Sequence, residues 1–225
     1  MKREIIHTGD GSHTIHLPEW NEQYHSRHGA IQEAQHVFIE MGLKSLLEKE
    51  PDEISILEIG FGTGLNALVT WNYIKDHSIN LKYTGVEAYP VAPEEAEKLN
   101  FPEELKTEGA AEVYRKFHEI RWEEMSSPTP FFTLLKQKKM FQDIVDIEEH
   151  NLIYFDAFGA RVQPDLWTVE IFRKMFTALK PGGILVTYAA KGSVRRAMQE
   201  VGFLVEKLPG PPGKREMLRA VKSSI

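Results

Sequence analysis

The chain has 225 residues, 42% of them hydrophobic, which suits one α/β domain with an appendage. It has no cysteine, which excludes disulfides, thiolate metal sites and cysteine nucleophiles, and no apolar run approaches the ~20 residues of a membrane helix. The net charge of −6 divides unevenly, −12 over the first 155 residues and +6 from Asp156 onward, so a polyanionic partner is not excluded for the C-terminal part.

The opening MKREIIHTGDG lacks an apolar signal core, and the expectation is a cytoplasmic protein. Within residues 1–20 two alternating runs flank a Gly-Asp-Gly-Ser turn and predict a β-hairpin. Residues 21–50 predict a helix with Ala34, Val37, Phe38, Met41 and Leu46 on its apolar stripe. Residues 1–50 thus read as a hairpin-and-helix cap on a main domain over 51–225. That domain starts with a buried strand over 54–60, followed by a helix over 65–76 and a strand over 82–87. The stretch 88–130 holds Pro90, Pro93, Pro102, Pro128 and Pro130, with helical patterns near 93–99 and 109–122, and reads as a helical insertion. Strands are predicted over 131–135 and 151–155, a helix over 165–179, a strand over 183–189 and a helix over 192–201. A closing hairpin pairs 203–208 with 215–221. Repeated β–turn–α units imply a Rossmann-like, mostly parallel sheet, with the terminal hairpin adding an antiparallel strand at its edge.

The most informative segment is ISILEIGFGTGLNAL, Ile54 to Leu68. A strand runs into Gly60-Phe61-Gly62-Thr63-Gly64, and a helix follows. The glycines let backbone approach a ligand, and the helix end offers free N–H groups. The spacing is G-x-G-x-G rather than the dinucleotide G-x-G-x-x-G. Glu58 precedes the loop by two residues. A carboxylate there would repel a pyrophosphate and attract the sulfonium and ammonium of S-adenosylmethionine. Glu87 ends the next strand, where an acid accepts from ribose hydroxyls. Glu58, Gly60, Phe61, Gly62, Thr63, Gly64, Asn66, Glu87 and Ala88 are therefore the expected cofactor contacts. The fold expected is a class I S-adenosylmethionine-dependent methyltransferase.

Asp156 ends the strand NLIYF, where this architecture faces the transferred methyl. An amine nucleophile needs a free, aimed lone pair, and a carboxylate accepts its N–H bonds. A helix or turn cap is the plainer explanation of the same residue. Phe158 and Trp167 either stack a flat base or belong to the core. Tyr24 and Ser26, in the polar segment before the first helix, either close over the cofactor or form a helix-entry loop. Arg195, Arg196, Lys214 and Arg215 either grip phosphates or are solvated surface. Five of nine histidines fall in the first 28 residues without a helical ligand pair, and no metal is expected.

YHSRHGAIQEAQHVFI, LEIGFGTGLNAL, FDAFGARVQPDLWT, LKPGGILVTY, GSVRRAMQEVGF and GKREML occur in this order. Together they resemble the methyltransferase family that completes 5-methylaminomethyl-2-thiouridine at the tRNA wobble position. Some members are fused to an FAD-dependent oxidase; the length here is similar to the stand-alone form, and FAD is not implied. The resemblance implies methyl transfer from S-adenosylmethionine to the primary amine of 5-aminomethyl-(2-thio)uridine in tRNA. A separate oxidase or upstream wobble-modifying enzymes would act on the same tRNA. It places the catalytic role on Asp156, the cofactor roles on Glu58, the loop glycines and Glu87, and puts Gly29 and Glu33 in the cap. Where the family has a Gly-Asp pair for the adenine amino group, this sequence has Lys136-Gln137, with Asp143 a displaced candidate. Two other classes remain open: a polyamine aminopropyltransferase-like enzyme, and a non-catalytic binding module on the same scaffold.

Overall fold

The computed structural model describes residues 2–48, 51–77 and 79–224. The expected hairpin is present as β1 (Glu4–His7) and β2 (His13–Leu17), antiparallel, with His7 opposite His13. Asp10 holds the turn, its carboxylate accepting from the Ser12 amide and from the Thr8 and Ser12 hydroxyls. A short third strand, β3 (Glu22–Gln23), pairs with β2. This corrects the helix expected from residue 21. The backbone there is committed to β2, and Tyr24 donates its N–H to Ile15 O at 2.9 Å. The helix starts as α1 (Ala30–Ala34), widens into a π-helix over Gln35–Leu43 and closes as α2 (Lys44–Leu47). Residues 49 and 50 of the expected helix lie outside the described residues.

The main sheet is built from β4 (Glu53–Ile59), β5 (Asn80–Val86), β6 (Met125–Thr129), β7 (Phe132–Gln137), β8 (His150–Phe155), β9 (Leu179–Thr187), β10 (Leu204–Pro209) and β11 (Glu216–Val221). Its order is β10-β11-β9-β8-β4-β5-β7-β6, with β7, β5, β4, β8 and β9 parallel. β4 is apolar on both faces from Ile54 onward apart from Ser55 and Glu58, as suits a central strand. The chain leaves β4 for β5 on one side and later returns to β8 on the other. That reversal makes a crevice at the carboxyl ends of these strands.

Two further expectations needed correction. Residues 125–129, assigned to the helical insertion, form an antiparallel edge strand. Pro128 hides strand character in sequence and is tolerated because an edge needs no donor on its free side. The helix expected over 165–179 is a 3₁₀ turn, Pro164–Trp167, followed by α7 (Val169–Ala178), which Thr168 caps through its side chain. The closing hairpin extends the sheet at its edge as expected, with β11 between β9 and the outermost β10 and antiparallel to both. The remaining helices are α3 (Leu65–Ile74), α4 (Pro93–Ala96), α5 (Phe101–Leu105), α6 (Ala110–Glu119) and α8 (Gly192–Glu200).

The sheet has a core on each face. One joins Ile56, Tyr83 and Tyr154 of the sheet to Ile15 and Leu17 of the N-terminal sheet and to Val37, Phe38 and Leu43 of the π-helix. The other packs Leu57, Ile153 and Leu185 against Phe172 and Met175 of α7 and Met198 of α8. The N-terminal segment is thus one layer of the core as well as a cover over the crevice.

Candidate active site

The loop after β4 is shaped by backbone bonds. The N–H groups of Gly60 and Phe61 both donate to Val86 O at 3.0 Å, folding the chain back across the end of β5. Gly60 has φ 93°, and a Cβ there would lie 2.7 Å from Asp156 O. Gly62 has φ 50° and gives its N–H to Glu87 Oε2 at 3.1 Å. Both positions demand glycine, the first for lack of room and both for their left-handed backbone. Gly64 starts α3 from behind the loop and does not face the crevice.

A cavity of about 1070 Å³ opens above this loop. That is at the top of the range of roughly 300–1,000 Å³ usual for small-molecule sites. Gly60, Phe61, Gly62, Thr63, Asn66, Glu87, Ala88 and Asp156 line it, as do Tyr24, Ser26, Phe158 and Lys214. Glu87 stands at its edge, its second oxygen accepting from Tyr89 N at 2.9 Å. Each carboxylate oxygen has further lone-pair capacity for a ligand hydroxyl.

Glu58 lies elsewhere than expected. It is fully buried beneath the loop and does not reach the cavity. One oxygen accepts from Asn66 Nδ2 and the other from the Tyr83 hydroxyl, both at 2.8 Å. Burial, with Asp156 nearby, pushes its carboxyl well above the usual range. Enclosed beneath the loop and away from the cavity, Glu58 is not in a position to touch a sulfonium bound there. The Asn66 amide also donates to Asp156 Oδ2 at 2.8 Å, so one side chain spans Glu58 below and Asp156 above. Asp156 is half-buried at the end of β8, and its pKa is raised to about 7, first by desolvation and then by Glu33.

The N-terminal segment walls the other side. His25 is buried, with Nδ1 2.9 Å from Thr14 Oγ1 and Nε2 3.2 Å from Thr63 Oγ1, and so fastens the cap to the glycine loop. Burial lowers its pKa to about 3, which keeps the ring neutral. Phe158 meets Tyr24 and Trp20 edge-to-face, with ring centroids 5.1 and 5.8 Å apart.

Other sequence expectations fall outside the cavity. Trp167 is core on the far face of the sheet and donates its indole N–H to Phe158 O at 2.8 Å. Arg195, Arg196 and Arg215 are not cavity residues. Lys214 is, but its ammonium pairs with Glu33 and lies 3.9 Å over the Tyr188 ring, so it is not an unpaired phosphate grip. Lys136 is buried with Nζ 3.4 Å from His118 O, and desolvation lowers its pKa to about 8. Gln137 gives its carbonyl to Glu87 N, Asp143 is exposed on a 3₁₀ turn, and neither lines the cavity; Met140 and Phe141 do. Sequence reasoning missed Trp20, Met140, Phe141 and Tyr188, and had His25 only as part of the polar segment before the first helix. No local spacing marks them, because each reaches the site through pairing or packing across the chain. At the opposite end of β8, donor atoms of Asp146, Glu149 and His150 lie within 4.8 Å of one another. The two ring nitrogens of His150 already contact Ser55 and Asp146.

Comparison with known proteins agrees with this geometry. Residues 134–223 match a family described as S-adenosyl-L-methionine-dependent methyltransferase. The chain is 29% identical over 230 residues to the tRNA 5-methylaminomethyl-2-thiouridine biosynthesis bifunctional protein MnmC of Polaromonas naphthalenivorans, an alignment that covers 96% of this chain and 35% of that protein. The chain is similar to the methyltransferase part of these bifunctional proteins. The Burkholderia multivorans protein of the same name is 27% identical, over 91% of this chain and 33% of its own length. The chain therefore spans about a third of the length of the curated relatives it matches. Among solved structures, MNMC2 from Aquifex aeolicus superposes with a TM-score of 0.76 at 24% identity, covering 99% of this chain and 70% of that one. Spermidine synthase from Thermotoga maritima gives 0.53 at 15% identity, covering 100% and 75%. The fold is that of the class I S-adenosylmethionine-dependent methyltransferases. No described helix is long and apolar enough to cross a membrane.

Proposed function

We propose that the chain transfers a methyl group from S-adenosylmethionine to the primary amine of 5-aminomethyl-(2-thio)uridine at the wobble position of tRNA. The observation that carries this reading is Asp156, half-buried at the floor of the cavity in a chain similar along almost its whole length to the methyltransferase part of MnmC. The residues fit the cofactor: Gly60 and Gly62 leave bare backbone where a Cβ would intrude, and Glu87 offers acceptors at the rim. S-adenosylmethionine, when bound, supplies a methyl group on a sulfonium leaving group.

The protein's part is to present the amine. A free alkyl amine is mostly protonated at neutral pH, near the roughly 10.4 of lysine. Once the ammonium proton has passed to bulk water, Asp156, with its pKa near 7, accepts an N–H of the neutral amine and aims the nitrogen lone pair. Asn66 holds the Asp156 oxygen in place from below. Phe158, Tyr24 and Trp20 offer aromatic faces for the pyrimidine. Nucleoside mass spectrometry of tRNA carrying 5-aminomethyluridine, incubated with protein and S-adenosylmethionine, tests the reading. A gain of one methyl on that nucleoside supports it. Transfer of an aminopropyl group from decarboxylated cofactor to a polyamine would support the aminopropyltransferase alternative.

A further inference from the structure

Two carboxylates of the cavity wall stand at the reaction centre, Glu33 from α1 and Asp156 from the end of β8, with Glu58 of β4 buried behind Asn66. Of the cavity's other basic side chains, Arg3 pairs with Glu95, Arg27 bonds Gln23, His25 bonds Thr14 and Thr63, and His28 lies beside Gly213. Lys214 reaches in from the loop between β10 and β11. Its ammonium pairs with Glu33 and lies 3.9 Å over the Tyr188 ring. The Tyr188 hydroxyl donates to Ala157 O at 2.8 Å, the residue next to Asp156. The second oxygen of Glu33 accepts from Ser26 N at 2.8 Å. One ammonium thus joins the closing hairpin, the cap segment and the backbone beside Asp156.

We propose that Lys214 is a positioning residue, whose ammonium, clamped by Glu33 and Tyr188, supplies the positive charge of the reaction centre and locks the hairpin loop to the cap. This rests on reading Asp156 as the centre of methyl transfer. The Glu33 side chain is 11% exposed, so a lysine that left it for an RNA phosphate would strand a buried carboxylate. The groups that face Asp156 are Asn66, with Glu58 and Tyr83 behind it, then Glu33, Tyr188 and Lys214. Of these, Glu33 disfavours the ionised Asp156 and Lys214 favours it.

The test compares wild type, Lys214→Met and Lys214→Arg. Protein labelled with 13C at the aspartate carboxyl is titrated by NMR, with the Asp156 signal assigned through Asp156→Asn. Single-turnover methylation is followed across the same pH range, and tRNA affinity is measured against salt. Loss of an opposite charge should raise the Asp156 midpoint by about one unit. The acid limb of the rate profile should move with it, the salt slope should stay unchanged, and Lys214→Arg should behave nearly as wild type. An unmoved midpoint in folded Lys214→Met overturns the proposal, and a salt slope flattened by roughly 0.7 would return Lys214 to a phosphate contact. Should Lys214→Met fail to fold, Glu33→Gln keeps the acceptor for Nζ and should lower the midpoint; an unmoved midpoint there overturns the proposal as well. A wild type that methylates nothing while the midpoint shifts as expected would refute the reaction and leave the charge coupling standing.

Discussion

At the scale of single residues, the site raises the pKa of a half-buried acid, Asp156, at the place where the proposed reaction would present an amine. Asp156 has a folded-state pKa of about 7, well above its unfolded value of roughly 3.9. The folded protein therefore binds the extra proton, and stability attributable to this group falls as pH rises from about 4 through about 7. Asp156→Asn keeps an acceptor for Asn66 but removes the charge. It is expected to lose turnover about 10²–10³-fold, as one preorganised electrostatic group does, with cofactor affinity nearly unchanged. The same variant should melt a few degrees higher than wild type at pH 8, at roughly 2–4 °C per kcal/mol, and equal to it below pH 4. Calorimetric scans at the two pH values check the pair of expectations, and equal melting at pH 8 would contradict the raised pKa. Glu87→Ala removes acceptors for a ribose and also frees Gly62 N. Titration calorimetry should show S-adenosylhomocysteine binding at least about tenfold weaker, from charge-assisted bonds of about 1.5–3 kcal/mol each. Unchanged affinity in a folded variant would take Glu87 out of the cofactor site.

At the scale of elements, the cap is fastened by a neutral histidine. His25 has a folded pKa of about 3 against an unfolded value near 6.5, so its bonds to Thr14 and Thr63 are fully available above about 6.5. Their contribution is lost as pH falls from there toward 3. His25→Ala should destabilise the protein by about 1–3 kcal/mol at pH 7.5, because it leaves buried hydroxyls short of a partner, and the penalty should shrink on acidification. Denaturant melts at pH 7.5 and 5 decide this, and a pH-independent penalty would mean that the ring only fills space. On α8 and the hairpin loop, Arg195, Arg196 and Arg215 remain candidates for tRNA phosphates. Reversing all three charges should weaken tRNA binding and flatten its salt slope by roughly 0.7–0.9 per lost contact while sparing cofactor affinity. An unchanged slope would place tRNA on another surface.

At the scale of the whole molecule, the sheet cannot be separated from its N-terminal segment without opening one face. Val37, Phe38 and Leu43 pack with Ile56, Tyr83 and Tyr154 in one core. A chain beginning at residue 51 is therefore expected to expose that core, bind a hydrophobic dye and lose cooperative unfolding.

What the sequence determined by itself is local and periodic. The G-x-G-x-G loop, the apolar strand before it and the carboxylate ending the next strand lie within about 30 residues, and spacing alone placed Gly60, Gly62 and Glu87 together. The alternation and turn residues of the terminal segments marked both hairpins for the same reason. Tertiary structure decided what depends on contacts between distant segments. Glu58 reads as an exposed counter-charge until Tyr83 and Asn66 are seen enclosing it. Lys214 reads as a free cation until Glu33, 181 residues away in sequence, is seen beside it. Trp167 reads equally as a stacking platform or as core until its indole is found on the other face of the sheet. Residue type and spacing encode backbone geometry, whereas the charge state and exposure of a side chain follow from the dielectric and the partners that the packed fold brings to it.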